Sequence, residues 1–444
     1  METPVADFVR RYADSGMIRA HMPGHKGKPF LGCETLDITE IQGADSLYEA
    51  EGIIRHSESC AGELFGSGRT VYSTEGSSQC IRAMLYLALT CGNGSRTVVA
   101  ARNVHRAFVY AAALLDFEIV WLWPERSTSL CGCPVSPDTL ERTLAEMPAP
   151  PAAVYLTSPD YLGNVQPVAA LAKVCHAHGA PLLVDNAHGA YLHFLPAPAH
   201  PLDEGADLCC DSAHKTLPVL TGGAYLHLGH GLLKEEEGEV RAALSLFGST
   251  SPSYLILQSL DACNRYLADE ARPKLAACAR AVEALKADLA AQGWAVAESE
   301  PLKVTLHASK RGWRGDALAD FLRQNGVECE YADPDDLVLM VSPQNSPEDL
   351  EKVRTALAAA GQGSEAPQTP PQMARPRQAM GIRAALLAPA EEVPVAAAAG
   401  RVCAAPTVGC PPAVPVVVSG EVISPDAAAV FHYYGIETVR VVRE

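Results

Sequence analysis

A lysine closing a short apolar run is the residue on which chemistry could turn. Leu208-Cys-Cys-Asp-Ser-Ala-His-Lys215 reads as the end of a buried strand breaking into a polar turn, and Pro218 with Gly222-Gly223 forbids a regular helix straight afterwards. An amine at the mouth of a buried strand sits in low dielectric, which lowers its pKa and frees it as a nucleophile. Ser212 and His214 flank it with donors suited to an anion. An amine beside an anion cradle is what an aldehyde-phosphate cofactor, pyridoxal phosphate, requires. A lysine that merely snorkels at a strand end satisfies Ser-x-His-Lys as well, so other stretches must decide.

Three further strand ends carry suitable side chains. Val71-Tyr-Ser-Thr-Glu-Gly-Ser-Ser78, followed by Ile81, Met84, Leu85 and Leu87 at helical spacing, is strand, tight turn and helix. Helix amides at Gly76, Ser77 and Ser78 would seat an anion, although a Ser-Ser pair is also an ordinary N-cap. Thr97-Val-Val-Ala-Ala101 ends in Arg-Asn-Val-His105 before another helix, so His105 lies at a strand-to-helix junction. There its ring could stack on a flat cofactor, or simply cap a helix or fill the core. Pro181-Leu-Leu-Val-Asp185-Asn-Ala-His188 delivers an aspartate at a buried strand end, where a carboxylate is costly unless a cation compensates it. A pyridinium nitrogen is such a cation. Asp185 would keep that ring protonated, Ala187 would leave room beneath it, and His188 would stand nearby as a donor.

These segments need a frame. Strand and helix alternate from about 70 to 228, with strands apolar on both faces, which predicts a mostly parallel central sheet covered by helices. Four strand ends on one edge then supply anion seat, ring, carboxylate and amine. The expected organisation is an N-terminal arm over 1–50, a large α/β domain over 51–255, a small α+β domain over 256–360, a linker over 361–378 and a small C-terminal domain over 379–444. The arm shows weak periodicity. His21-Met-Pro-Gly-His-Lys-Gly27 is a loop that lacks the upstream glycine and the following Ser/Thr of a nucleotide phosphate loop. Asp37, Glu40 and Asp45 are either a solvated loop or a carboxylate-lined mouth for a substrate with a distal positive charge. Glu40 and Asp45 are the candidates for that contact. Gly248-Ser249-Thr250 belongs to another small-polar loop that could reach a phosphate.

A net charge of −17 argues against nucleic acid and anionic membrane surfaces as partners and mildly favours a cationic substrate. The start Met-Glu-Thr-Pro shows no signal peptide, and the apolar runs are too short to span a membrane, which leads to a cytoplasmic expectation. The 14 cysteines show no disulfide framework and suit a reducing compartment. Cys131-Gly-Cys133 and Cys209-Cys210 lack zinc-knuckle spacing, so no metal is expected.

At these residues the chain resembles the Orn/Lys/Arg decarboxylase family in its short form, which lacks an extra N-terminal wing domain. The matching strings are HMPGHKG (21–27), DITEIQGADSLY (37–48), STEGSSQ (73–79), RNVHR (102–106), VDNAHGA (184–190), DSAHKTLP (211–218), STSPSY (249–254) and CPPAVPVVVSGE (410–421). The resemblance implies a pyridoxal-phosphate enzyme with the fold type I, transferase-like architecture that decarboxylates arginine, lysine or ornithine to the corresponding amine. It also implies a homodimer or higher homo-oligomer with sites shared across the interface. By the same resemblance Lys215 forms the imine, Asp185 pairs with the pyridine nitrogen and His105 stacks on the ring. Ser77, Ser78, Ser212 and His214 hold the phosphate, Ser249 or Thr250 reaches it from a partner subunit, and His188 sits near the ring hydroxyl or the substrate carboxylate. Arg106-Ala107, Asp160 and Asn186 depart from the Lys-Ser, Thr and Glu common in the family, which bears on substrate contacts. A fold type I aminotransferase or other lyase shares the same lysine, aspartate and ring. A non-catalytic cofactor-binding protein would be expected to lack the lysine or the aspartate.

Overall fold

The computed structural model describes residues 1–124, 129–229, 237–365, 370–372, 375–406 and 415–443. In chain order its first half contains α1 (Pro4–Asp14), α2 (Ile53–Phe65), β1 (Arg69–Ser73), α3 (Ser77–Thr90), β2 (Thr97–Ala101), α4 (Arg106–Leu115), β3 (Glu118–Leu122), α5 (Pro137–Ala145), β4 (Ala153–Thr157), α6 (Val168–Ala177), β5 (Leu182–Asp185), β6 (Leu208–Asp211), α7 (Ala213–Thr216) and β7 (Ala224–Leu228). There follow α8 (Glu237–Leu246), α9 (Tyr254–Tyr266), α10 (Arg272–Ala291), β8 (Lys303–His307), α11 (Gly315–Gln324), β9 (Tyr331–Ala332), β10 (Asp336–Met340), α12 (Pro347–Ala360), α13 (Ile382–Leu387), β11 (Ala390–Pro394), α14 (Pro425–Tyr433) and β12 (Thr438–Val442). The chain forms two compact units. One gathers Met1–Val99, Ser136–Leu156 and Pro167–Lys274; the other gathers Ala100–Val135, Thr157–Gln166 and Leu275–Glu444.

The first unit is built on strands in the order β1-β7-β6-β5-β4-β2. Strands β5 and β6 are parallel, with Asp185 opposite Cys210. Every residue of both is buried, as expected of strands covered on two faces. The sheet is nevertheless mixed, because β7 runs antiparallel to both β6 and β1. The link Ser212–Gly223 holds a single helical turn ended before Pro218, so no crossover helix returns the chain for parallel pairing. Helix α3 starts at Gly76, whose φ of +70° favours glycine, and buries Cys80, Ile81, Met84, Leu85 and Leu87 beneath the sheet edge.

The weakly periodic N-terminal arm contains a helix the sequence pattern did not reveal. Helix α1 is short and charged and buries Val5, Ala6 and Val9, too few residues for a legible stripe. Its anchor is the buried Asp261 on α9, which accepts Ala6 N–H at 2.9 Å and the Ser57 hydroxyl at 2.5 Å.

In the second unit the end of β2 continues towards β3, Arg102 N–H donating to Leu122 O at 3.1 Å. Strands β8, β10 and β9 form an antiparallel sheet in that order, and β11 pairs antiparallel with β12. An apolar cluster of Val395, Val417, Ile423, Val430, Phe431 and Val441 supports the latter pair. Helix α12 opens on a capping box in which Ser346 and Asp349 exchange side-chain and backbone bonds. Within the expected linker, 366–369 and 373–374 lie outside the described residues, as do 410–414 of the proline-rich string.

Burial raises the Asp261 carboxyl from 3.8 to about 6. The folded chain therefore holds a proton that the unfolded chain releases near pH 4, so the stability it contributes is complete below about pH 4 and is lost as pH rises through 6. Asp261→Asn should flatten this slope, the two proteins diverging by on the order of 3 kcal/mol across the window. Urea midpoints measured from pH 4 to 7 check this; parallel curves would show that the carboxyl titrates alike in both states.

Candidate active site

The ends of β5 and β6, the head of α3 and the single turn α7 converge within the first unit. Lys215, half-buried on α7, has its Nζ 3.1 Å from His188 Nε2, so a proton on either nitrogen is within reach of the other. On β5, Asp185 is 3% exposed, and its donors are neutral: Tyr155 O–H and Ala187 N–H at 3.2 Å and Cys210 S–H at 3.8 Å. Burial pushes its pKa up, and the positive charge of Lys215 offsets this in part.

At the head of α3, Ser212 Oγ lies 2.9 Å from Ser77 Oγ, and a Cβ added at Gly76 would stand 3.8 Å from His214 Cε1. Ser77, Ser212 and His214 are thereby brought together, with half-buried Ser78 next on the helix. The expected seat needs one correction: Gly76 N–H is taken by Gly222 O at 2.7 Å, so glycine contributes conformation and not a donor. His214 Nδ1 lies 2.9 Å from Gly223 O and must donate to it, which leaves Nε2 able to donate only when the ring is cationic. Burial lowers its pKa, and Lys215 lowers it further.

The adjacent strand end carries an aspartate in an opposite condition. Asp211, fully buried, accepts His200 Nε2–H at 3.0 Å, His227 Nε2–H at 3.2 Å and the Asn186 amide at 2.6 Å. Burial works to raise its pKa, but the two imidazoles overcome this and hold it well below the usual carboxylate range. Cys209 offers a sulfur within 4.8 Å of His200 and Asp211 donor atoms, a spacing compatible with a metal. However, His200 Nδ1 accepts Leu202 N–H at 3.3 Å, which fixes the ring proton on Nε2, facing Asp211. Hydrogen bonding accounts for the cluster. Sequence reasoning noted Asn186 only as a departure and missed Tyr155, Asp211, His200 and His227. The signal for Asp211 was present, since Leu-Cys-Cys-Asp ends a buried strand just as Leu-Leu-Val-Asp does.

Among the other candidates, His105 lies in the second unit, half-buried, and caps α4 by accepting Ala107 N–H on Nδ1 at 3.2 Å. Ser249 and Thr250 are exposed, and Ser249 N–H donates to Glu75. Glu40 is exposed and accepts the Ser46 hydroxyl at 2.8 Å. The Asp45 oxygens accept the amides of Ser46 and Glu51 at 3.0 Å, Gly52 at 2.8 Å and Ile54 at 2.9 Å, which makes it an anchor of the helix start. A carboxylate so engaged at the start of α2 satisfies orphan donors and complements the helix dipole.

The residues present fit pyridoxal phosphate. Asp185 is buried among neutral donors, as a partner for a ring cation should be, and the hydroxyls gathered at Gly76 suit a phosphate. The buried Thr216 Oγ1 beside Lys215 has no hydrogen-bond partner among the described residues.

Comparison with known proteins agrees. Residues 3–308 match the Orn/Lys/Arg decarboxylase major domain, and residues 362–439 match its C-terminal domain. The chain belongs to this family. An arginine decarboxylase of Bacillus subtilis is 28% identical over 457 residues, covering 95% of this chain and 91% of that one. Among solved structures, lysine decarboxylase A from Pseudomonas aeruginosa superposes with a TM-score of 0.83 at 17% identity, covering 99% of this chain and 80% of that one. Serine palmitoyltransferase of Sphingomonas wittichii gives 0.58 at 17% identity, covering 81% and 84%. The decarboxylase family fold is thus fold type I.

Asp45→Ala should cost about 2 kcal/mol of stability through the lost cap and leave KM for substrate unchanged. A raised KM at unchanged thermal midpoint would return Asp45 to the substrate site.

Proposed function

We propose that this family member decarboxylates a basic amino acid with pyridoxal phosphate held on Lys215. Arginine is the first choice among arginine, lysine and ornithine, supported by the relative matched along 95% of the chain. The observation that carries the reading is the Lys215–His188 contact beside Asp185, a buried carboxylate without a fixed cationic hydrogen-bond donor among the described residues.

When bound, the cofactor's protonated ring draws electrons from the substrate's α-carbon. Asp185 keeps the proton on the ring nitrogen, and its buried setting makes that attraction strong. Ser77, Ser78, Ser212 and His214 hold the phosphate, with Ser249 or Thr250 of a second copy completing the cradle. His105 would be the residue that stacks on the ring, and Ala187 the one small enough to leave room for it. Lys215 supplies the amine that retains the cofactor, and afterwards protonates the α-carbon once carbon dioxide has left. His188, in contact with Nζ, relays protons to it. Glu40 remains the candidate for the distal charge of the substrate.

A homodimer is part of this reading. It is supported by exposed apolar side chains concentrated in the N-terminal arm, with Ile18 94%, Phe30 88% and Leu31 82% exposed. A cytoplasmic site of action is supported by cysteines that form no disulfide with one another among the described residues. No helix among those residues is long and apolar enough to cross a membrane.

Carbon dioxide release should be detected from one of arginine, lysine or ornithine when pyridoxal phosphate is added, with the matching amine identified by mass. A keto acid product, or no release from any of the three, would overturn the reading. His188→Asn should lower kcat about 10²- to 10⁴-fold while borohydride still fixes the cofactor to Lys215; undiminished turnover would remove His188 from the proton path. Cofactor phosphate should also load a proton onto His214, seen calorimetrically as binding heat that varies with the buffer's ionisation enthalpy. The same buffer dependence in His214→Gln, in which the proton released by Lys215 is unchanged, would show that Nε2 does not donate to the phosphate.

A further inference from the structure

The second unit contains a fully buried ion pair that the reaction does not use directly. Arg102, 0% exposed, donates Nη1–H to Glu421 Oε1 at 2.8 Å and Nη2–H to Oε2 at 2.7 Å, a bidentate fork. Pro415 O accepts from Nη2 at 3.2 Å and from Nε at 3.4 Å. The guanidinium carbon lies 4.7 Å from the Trp121 ring centre and 4.5 Å from that of Trp123. Glu421 is itself fixed, its Oε2 accepting Val418 N–H at 2.8 Å and its carbonyl accepting Cys403 N–H at 2.8 Å.

What this pair holds is the segment leading to His105. Arg102 N–H is bonded to Leu122 O, Asn103 O accepts the Thr157 hydroxyl at 3.0 Å, and Val104 is buried. Three residues after Arg102 stands His105, with Nδ1 bound to Ala107 N–H. A buried guanidinium with two carboxylate contacts, two carbonyl contacts and two aromatic faces has one position available. Removing the carboxylate would leave a buried charge without its counter-ion, the costly half of such a pair.

We propose that Glu421, acting through Arg102, is a positioning residue: the C-terminal region fixes the strand-end loop that presents His105 to the cofactor. This rests on the reading that His105 stacks on pyridoxal phosphate. It gives the region after the linker a role in the site although none of its residues is assigned to the chemistry.

The test compares Glu421→Gln with Val430→Ala, which opens a cavity in the apolar cluster of the same region without touching the pair. Thermal midpoint, dissociation constant for pyridoxal phosphate and absorbance of the bound cofactor are measured for both. Glu421→Gln should raise the dissociation constant at least tenfold and shift the absorbance band and its pH midpoint, whereas Val430→Ala lowers the thermal midpoint and leaves the other two as in wild type. If Glu421→Gln does not fold, Glu421→Asp, which shortens the reach by one methylene, should show the same shifts in smaller measure. Wild-type affinity and spectrum in the folded Glu421 variant, or equal changes in Val430→Ala, would overturn the proposal. Borohydride labelling keeps the two claims apart: wild type unlabelled at Lys215 defeats the reading of the site, whereas wild type labelled and the Glu421 variant spectrally unchanged defeats the positioning role alone.

Discussion

Burying a carboxylate at a strand end imposes a debt of solvation that something nearby must compensate, and the site is arranged around how two such groups meet it. Asp185 and Asp211 end adjacent parallel strands. Asp211 is surrounded by two imidazoles and an amide, and stays ionised far into acid. Asp185 has neutral donors, and its carboxyl is raised by burial despite Lys215. The first is a finished structural anion beneath the sheet edge. The second is met by neutral donors alone, with the charge of Lys215 offsetting its burial only in part.

The amine and the hydroxyls gathered at Gly76 follow from the same sheet edge. The turn after β6 is too short for a crossover helix, so Ser212, His214 and Lys215 stay at the strand mouth. Gly76 lets α3 begin where Ser77 reaches Ser212. The clasp between Asn186 and Asp211 joins the two strand ends that carry the carboxylate and the amine. Each contact is local, yet each fixes a group on a neighbouring strand, and this is how an open α/β sheet concentrates chemistry at one edge.

Composition also shaped what the acidic loop does. A run of carboxylates invites a reading as a cation-binding mouth. Asp45 meets an immediate demand, the unsatisfied amides at the start of α2, with its φ of +69° turning the chain to reach them. Glu40, bound by one hydroxyl and exposed, keeps the freedom that Asp45 has lost.

Period and punctuation in the sequence settled much by themselves. Apolar runs ending in Asp185 and Asp211 and the Gly76-Ser-Ser turn mark strand ends and the start of α3, because each depends on the chain's own local geometry. The short helix α1, whose buried face is three residues wide, left no such trace. Nor could the pattern distinguish Asp185 from Asp211, two aspartates after three apolar residues each. Their difference lies in His200, His227 and Tyr155, distant along the chain and brought near by strand order. Compensation of charge is a property of neighbours in space, and the tertiary structure alone decides which neighbours those are.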